Sequence, residues 1–344
     1  MSSNSQLIVD KHPQYGVFSQ PFEHINFMDY DLRSPMGRKK SWLAKKMGFN
    51  QFHFVGVVSP RFVLGCAIVD LKWVCNSFVY VYDLESQTLF ERSFLQPLGR
   101  NSEIVTTPDN GKDYFYSGKN RVEINSVLSD GTRHLLVELE GGERIDVTLT
   151  QPEDYEPLVV CTRTGAKGWT YTQKSTALKA EGEIHLAGKS FQLDSTTDLG
   201  NSDWSCGYLR RETNWNWGCL SGFSTAGQRV GINVACGVNE TSITENCFWV
   251  DGKIYKLEGV TFDYDRSNLM NPWRLSTSNG ALDLSFSAQG LRQEKINALL
   301  LASDFKQPFG FFDGQFNLEA YGETAGPVKI EKQIGYVEEH YAKW

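Results

Sequence analysis

Residues 121–151, RVEINSVLSDGTRHLLVELEGGERIDVTLTQ, alternate apolar and polar side chains in three short runs. Val122 and Ile124, then Leu135, Val137 and Leu139, then Ile145, Val147 and Leu149 take the apolar places; Asp130-Gly131 and Gly141-Gly142 separate the runs. A period of two sends successive side chains to opposite faces of a sheet, and Asp-Gly or Gly-Gly pairs supply the backbone angles of tight hairpins. The stretch therefore predicts a three-stranded meander with one buried face. Ala187-Gly188-Lys189, Asp251-Gly252, Asn279-Gly280 and Asp313-Gly314 repeat the punctuation, and FGFFDGQF (309–316) predicts a core hairpin around Asp313-Gly314. Residues 52–84 read as long, heavily apolar strands rich in β-branched and aromatic residues. Helical periodicity is nearly absent. The one ambiguous window, residues 290–305, reads as strand because its neighbours do.

Residues 150–168, TQPEDYEPLVVCTRTGAKG, gather prolines, acids and glycines between two hairpin-rich halves. That predicts a boundary near residue 160: an all-β unit over 1–160 and a second over 161–344, each antiparallel and closing its edges as a barrel or deep sandwich. The 344-residue length fits two units of ordinary size.

Composition narrows the partners. Aromatic residues make up 13% of the chain, enough to fill barrel interiors or line apolar clefts. A net charge of −7 argues against nucleic acid, which is bound by a basic face that displaces counterions. The only basic cluster, GRKKSWLAKK (37–46), is short and reads as a solvated turn. No apolar run reaches membrane-spanning length, and MSSNSQLIVDKHPQYG lacks the basic start and apolar core of a signal peptide. The seven cysteines form no CxxC pair and no zinc-type spacing with histidine. The expectation is a cytoplasmic protein with buried free thiols and no metal; the sequon at Asn239 is then a chance match. Nucleotide-binding and metalloenzyme signatures are missing as well, so no cofactor is expected.

The densest candidate chemistry is DWSCGYLRRETNWNWGCLSG (203–222). As a strand from Arg210, it puts Thr213, Trp215, Trp217 and Cys219 on one face and Glu212, Asn214 and Asn216 on the other. A lumen on the first face is an apolar or sugar-stacking wall; a lumen on the second holds a carboxylate and two amides. Asp203 would rim the opening, with Arg210 or Arg211 clamping Asp203 or Glu212. In GVNETSITENCFWVDG (237–252), Asn239 precedes a strand on which Glu245 shares a face with Trp249, and a charge there needs a partner or a cavity. In GYVEEHYAKW (335–344), a glutamate pair beside His340 resembles an acid–base dyad, and Trp273 sits at an expected barrel end. Asp203, Glu212 and Glu245 are the candidate acids and bases. Trp215, Trp217, Arg210, Arg211, Asn239, Trp249, Trp273 and His340 are the candidate ligand contacts.

These stretches, with NPWRLSTSNGALDLSFSA, QPFGFFDGQFN and KKSWLAKKMGFNQFHFVGVVSP, resemble the DUF2804 family over nearly the whole chain. That family is similar to two-domain lipocalin-like proteins that include carotenoid 1,2-hydratases and secondary-metabolite cyclases. The resemblance implies two lipocalin-like, calycin-type antiparallel β-barrels packed side by side, and transfers no catalytic role residue by residue. Three functions follow as expectations: a cofactor-independent hydratase, isomerase or cyclase acting on an apolar small molecule in a Trp-lined barrel pocket; a non-catalytic carrier of lipid or another hydrophobic ligand; or a carbohydrate-active enzyme using paired carboxylates.

Overall fold

A computed structural model describes residues 4–238, 243–297, 301–324 and 326–344. A short helix, α1 (Trp42–Gly48), leads into the first large sheet. That sheet contains β1 (Asn50–Val58), β2 (Phe62–Asp70), β3 (Val74–Asp83), β4 (Thr88–Pro97), β5 (Gly111–Ser117), β6 (Asn120–Val127), β7 (Thr132–Glu138), β8 (Arg144–Thr150), β9 (Leu158–Thr164), β10 (Gly168–Leu186) and β11 (Leu199–Gly207). Its main path runs β5-β6-β7-β8-β10-β11-β1-β2-β3-β4. The second sheet contains β12 (Glu212–Phe223), β13 (Arg229–Cys236), β14 (Cys247–Val250), β15 (Lys253–Lys256), β16 (Val260–Asp263), β17 (Trp273–Thr277), β18 (Leu282–Asn297), β19 (Ala302–Phe316) and β20 (Val328–Lys343). Its order is β15-β14-β13-β12-β20-β19-β18-β17-β16. The fold is thus all-β, two curled antiparallel half-barrels of lipocalin type.

The meander forms as its alternation predicts, with Ile124 opposite Leu135 and Leu135 opposite Val147. Two expectations change. The expected boundary at residue 160 falls inside β9, which pairs with β10 in the first sheet; the chain changes sheet between Gly207 and Glu212. FGFFDGQF forms no hairpin. Asp313-Gly314 lies within β19, where Gly314 takes φ +139 at a register shift, so the glycine bends a continuous strand.

Alternation divides each sheet between two environments. In the first, Val55, Val57, Leu64 and Val79 fill the barrel's own core, while Phe54, Val58, Val63 and Tyr80 point outward. In the second, Leu220, Ile232 and Val337 fill the barrel, while Trp217, Cys219, Phe309 and Tyr336 point outward. The two outward sets pack on each other as one seam. A bulge in β10 between Ser175 and Leu178, with Ala177 at φ +53, turns the strand where the second sheet abuts it, and the Ala177 N–H donates to Ser221 Oγ across the junction at 2.9 Å.

Candidate functional site

The seam encloses a cavity of about 270 Å3. The expected site lay in a barrel lumen; the structure puts this cavity between the barrels. The face that Trp215 and Trp217 share looks into it. The opposite face turns to the second barrel's interior, where Asn216 donates to Tyr264 Oη at 2.9 Å.

Two ionisable clusters meet this wall. The first is built on β10 and β11, which place Lys174 and Asp203 in register. Alternation sends Trp204 into the first barrel's core and leaves Asp203 facing the seam. Lys174 Nζ lies 2.8 Å from Asp203 Oδ2 and 3.4 Å from Glu245 Oε1, and 5.6 Å from the centre of the Trp217 ring. All three charged side chains are buried. Burial opposes the Lys174 ammonium, but Asp203 and then Glu245 outweigh it and hold its pKa above the usual lysine value. Ser205 Oγ donates to the other Asp203 oxygen at 2.9 Å. Asn233 ties the cluster to the wall: its Nδ2 donates to the Glu245 carbonyl, and its Oδ1 accepts from Trp217 Nε1 at 2.8 Å.

The second cluster comes from β20. Tyr336, Glu338 and His340 alternate with Val337 and Glu339, so the first three face the seam. Glu338 is buried, and both its oxygens accept N–H bonds, from Trp215 Nε1 at 2.8 Å and from Gln307 Nε2 at 3.2 Å. Gln307 in turn accepts from Tyr80 Oη at 2.5 Å across the seam. Burial pushes the Tyr80 phenol well up, so it serves as a hydrogen-bond donor. His340 stands against the Trp215 ring with centroids 4.2 Å apart, its Nε2 2.8 Å from Ser303 Oγ. Arg292, also buried, lines the same cavity and lies over Phe78, Tyr80 and Phe305 while it reaches Glu91 and Glu294.

The sequence-derived candidates therefore separate. Asp203, Glu245, Trp215, Trp217, His340 and Arg210 line the cavity, Arg210 as an exposed rim residue. Glu212 does not. It opens β12 on the face away from the seam, is exposed, and accepts from Tyr341 Oη at 2.9 Å. Neither arginine clamps Asp203, whose cation is Lys174; Arg211 donates instead to the Trp344 carbonyl at 3.0 Å. Trp249 is buried away from the cavity, its Nε1 donating to the Glu156 carbonyl at 2.7 Å. Trp273 lies in the second barrel's core, stacked on Tyr264 at 3.8 Å. Asn239 lies outside the described residues. Lys174, Gln307 and Arg292 are the members that the sequence reading missed; of the glutamate pair it noted beside His340, Glu338 lines the cavity and Glu339 does not. Period-two spacing from Tyr336 and His340 points to Glu338; the others have no local signal, because their partners are distant in sequence.

Among the described residues no group of histidine, cysteine, aspartate and glutamate has metal-binding geometry, and all seven cysteines are free thiols. No helix among them is long and apolar enough to cross a membrane. Residues 12–344 match the model of DUF2804, a domain of unknown function. No curated protein sequence matches the chain. Among solved structures, CghA superposes with a TM-score of 0.51 at 10% identity, over 99% of this chain and 97% of that one. Kievitone hydratase from Nectria haematococca gives 0.47 at 14% identity, over 86% and 89% of the two chains. The CghA likeness extends over both barrels and is one of fold.

Proposed function

The chain belongs to the DUF2804 family, and for this member we propose that the cavity between the barrels is the active site of a cofactor-independent hydratase, isomerase or cyclase acting on an apolar small molecule. The observation that carries this is the Lys174–Asp203–Glu245 cluster, a buried ammonium between two carboxylates opening on mainly apolar walls. Taking ions out of water costs several kcal/mol each, and a simple apolar carrier has no use for them. In the proposed chemistry the Lys174 ammonium polarises an oxygen of the ligand, while Asp203 or Glu245 moves a proton to or from a neighbouring carbon. The Trp215 and Trp217 rings shield the reacting carbon from bulk solvent and stabilise developing positive charge. Most of the wall surface is apolar, and its polar side chains are largely engaged with one another, which favours an apolar scaffold over a sugar.

A carrier is the second reading, and the same apolar walls favour it. The two are separated by passing an extract of the expressing cells over the protein, identifying the retained compound by mass spectrometry, and incubating it with wild type and Asp203→Asn. Conversion by wild type to an isomer, or to a species one water heavier or lighter, with loss in Asp203→Asn, is the expected result. A compound bound tightly by both and recovered unchanged from both would establish the carrier instead.

A further inference from the structure

The end of the first barrel nearest residue 50 carries exposed apolar side chains among unpaired cations. Helix α1 projects from it, anchored through Lys45 to the Met28 carbonyl and by the Phe49 ring stacked on Phe27 at 3.8 Å. Trp42 is 64% exposed, Leu43 60%, and Met36, just upstream, 93%. Between residues 32 and 69 there is no aspartate or glutamate, in a chain whose net charge is −7. Among the described residues Arg38, Lys39, Lys40 and Lys46 form no ion pair; Lys46 lies over the Trp42 ring at 5.5 Å. The nearest acids are accounted for, since Asp31 pairs with Arg33 and Asp29 accepts from Asn26.

The turn between β2 and β3 lies at the same end. Gln51 is opposite Asp70 in register, and Lys72 Nζ lies 3.0 Å from Gln51 Oε1 and 5.8 Å from the Phe49 ring. That turn exposes Trp73 to 65%, beside Leu98, whose N–H donates to the Trp73 carbonyl. Leu95, 57% exposed, and the exposed Arg210 both line the cavity, so its mouth opens here.

We propose that this end of the first barrel, α1 together with the Leu71–Trp73 turn, docks on an anionic lipid surface. Tryptophan and leucine on a short projecting helix reach the boundary between headgroups and acyl chains, and lysines around them meet the negative potential of the leaflet. Exposed apolar side chains on a short helix, ringed by lysines, match a bilayer, whose headgroup layer conforms to what enters it. The cavity mouth lies on the same face, so an apolar ligand passes between bilayer and cavity without crossing water. This inference rests on surface residues alone and stands whether the cavity catalyses or only carries.

The test is co-sedimentation of the full chain with large unilamellar vesicles, either phosphatidylcholine alone or phosphatidylcholine with about one third phosphatidylserine, at about 0.1 M salt. Wild type is expected to bind the phosphatidylserine vesicles more strongly and to be released as salt rises. The variant Lys39→Ala/Lys40→Ala/Lys46→Ala should lose affinity for them on the order of a hundredfold. Trp42→Ala/Leu43→Ala should lose affinity for both compositions. These side chains are exposed, so circular dichroism should be unchanged. No binding by wild type, as expected of a protein-docking face, would overturn the proposal, as would binding that both variants retain in full.

Discussion

Lys174 is a buried ammonium held between two buried carboxylates. Asp203 stands on β11 of the first sheet, and Glu245 lies in the segment just before β14, not on that strand with Trp249. Removing one member of a buried ion cluster leaves the rest uncompensated and typically costs about 3–5 kcal/mol. Lys174→Met should lower unfolding stability by that order in urea titration, and Lys174→Met with Asp203→Asn and Glu245→Gln should recover much of the loss. A triple variant no more stable than the single one would show that the ammonium does not compensate those acids. Away from the cavity, Glu123 gives a pH signature. Burial alone would raise its pKa, but Arg121, Lys112 and Tyr116 overrule it and bring it from 4.5 to about 2. A depressed carboxylate contributes stability that is full above its unfolded pKa and is lost as pH falls through its folded one. The advantage of wild type over Glu123→Gln should therefore be constant above pH 4.5 and shrink toward pH 2. An advantage independent of pH through that window would refute the assignment.

Strands β1 and β2 bring Gly56 and Gly65 into register and so clear a lane on the seam face. The lane is filled by Tyr336, whose hydroxyl donates to Asn201 at 2.6 Å, and by Tyr80, lying across Gly65. A Cβ at Gly65 would sit within the Tyr80 ring, and at Gly56 against the Tyr336 hydroxyl. Moving Tyr80 breaks its bond to Gln307, which holds one oxygen of Glu338. Gly65→Ala is expected to cost about 1–3 kcal/mol by overpacking and to weaken ligand binding. Thermal unfolding and ligand titration read the two effects separately; an unchanged melting temperature would mean that the lane is loose.

Across the whole molecule, the seam joins the barrels with specific bonds as well as apolar packing. Arg292 to Glu91, Tyr80 to Gln307, Tyr82 to the Gln289 carbonyl and Tyr336 to Asn201 all connect one sheet to the other. Arg292 is buried, so separating the barrels would move its aromatic cage and its charge into water together. The barrels should therefore unfold as one cooperative unit, with a single calorimetric transition whose van't Hoff and calorimetric enthalpies agree. Two resolved transitions would show the seam to be weaker than either core.

Local patterning was enough for the strands. Val122, Ile124, Leu135 and Val147 recur every second residue because a half-buried sheet demands it, and that signal needs no knowledge of neighbours. The same arithmetic already put Trp215 and Trp217 opposite Glu212 and Asn216, and the family resemblance supplied the paired-barrel architecture. The chain alone could not say which face was enclosed, because both faces of a strand here are covered, one by its own barrel and one by the other. Lys174 finds Glu245 from 71 residues away, and Arg292 finds Glu91 from 201. Asp313-Gly314 carries a turn signal, yet β18 and β20 flank β19 on both sides and keep it one continuous strand, so the glycine makes a bend and not a hairpin. Sequence by itself determined the strands and the division of their side chains between faces, through steric alternation. Only tertiary structure decided that the site lies between two barrels, because the desolvation and charge pairing that make it a site arise when two sheets meet.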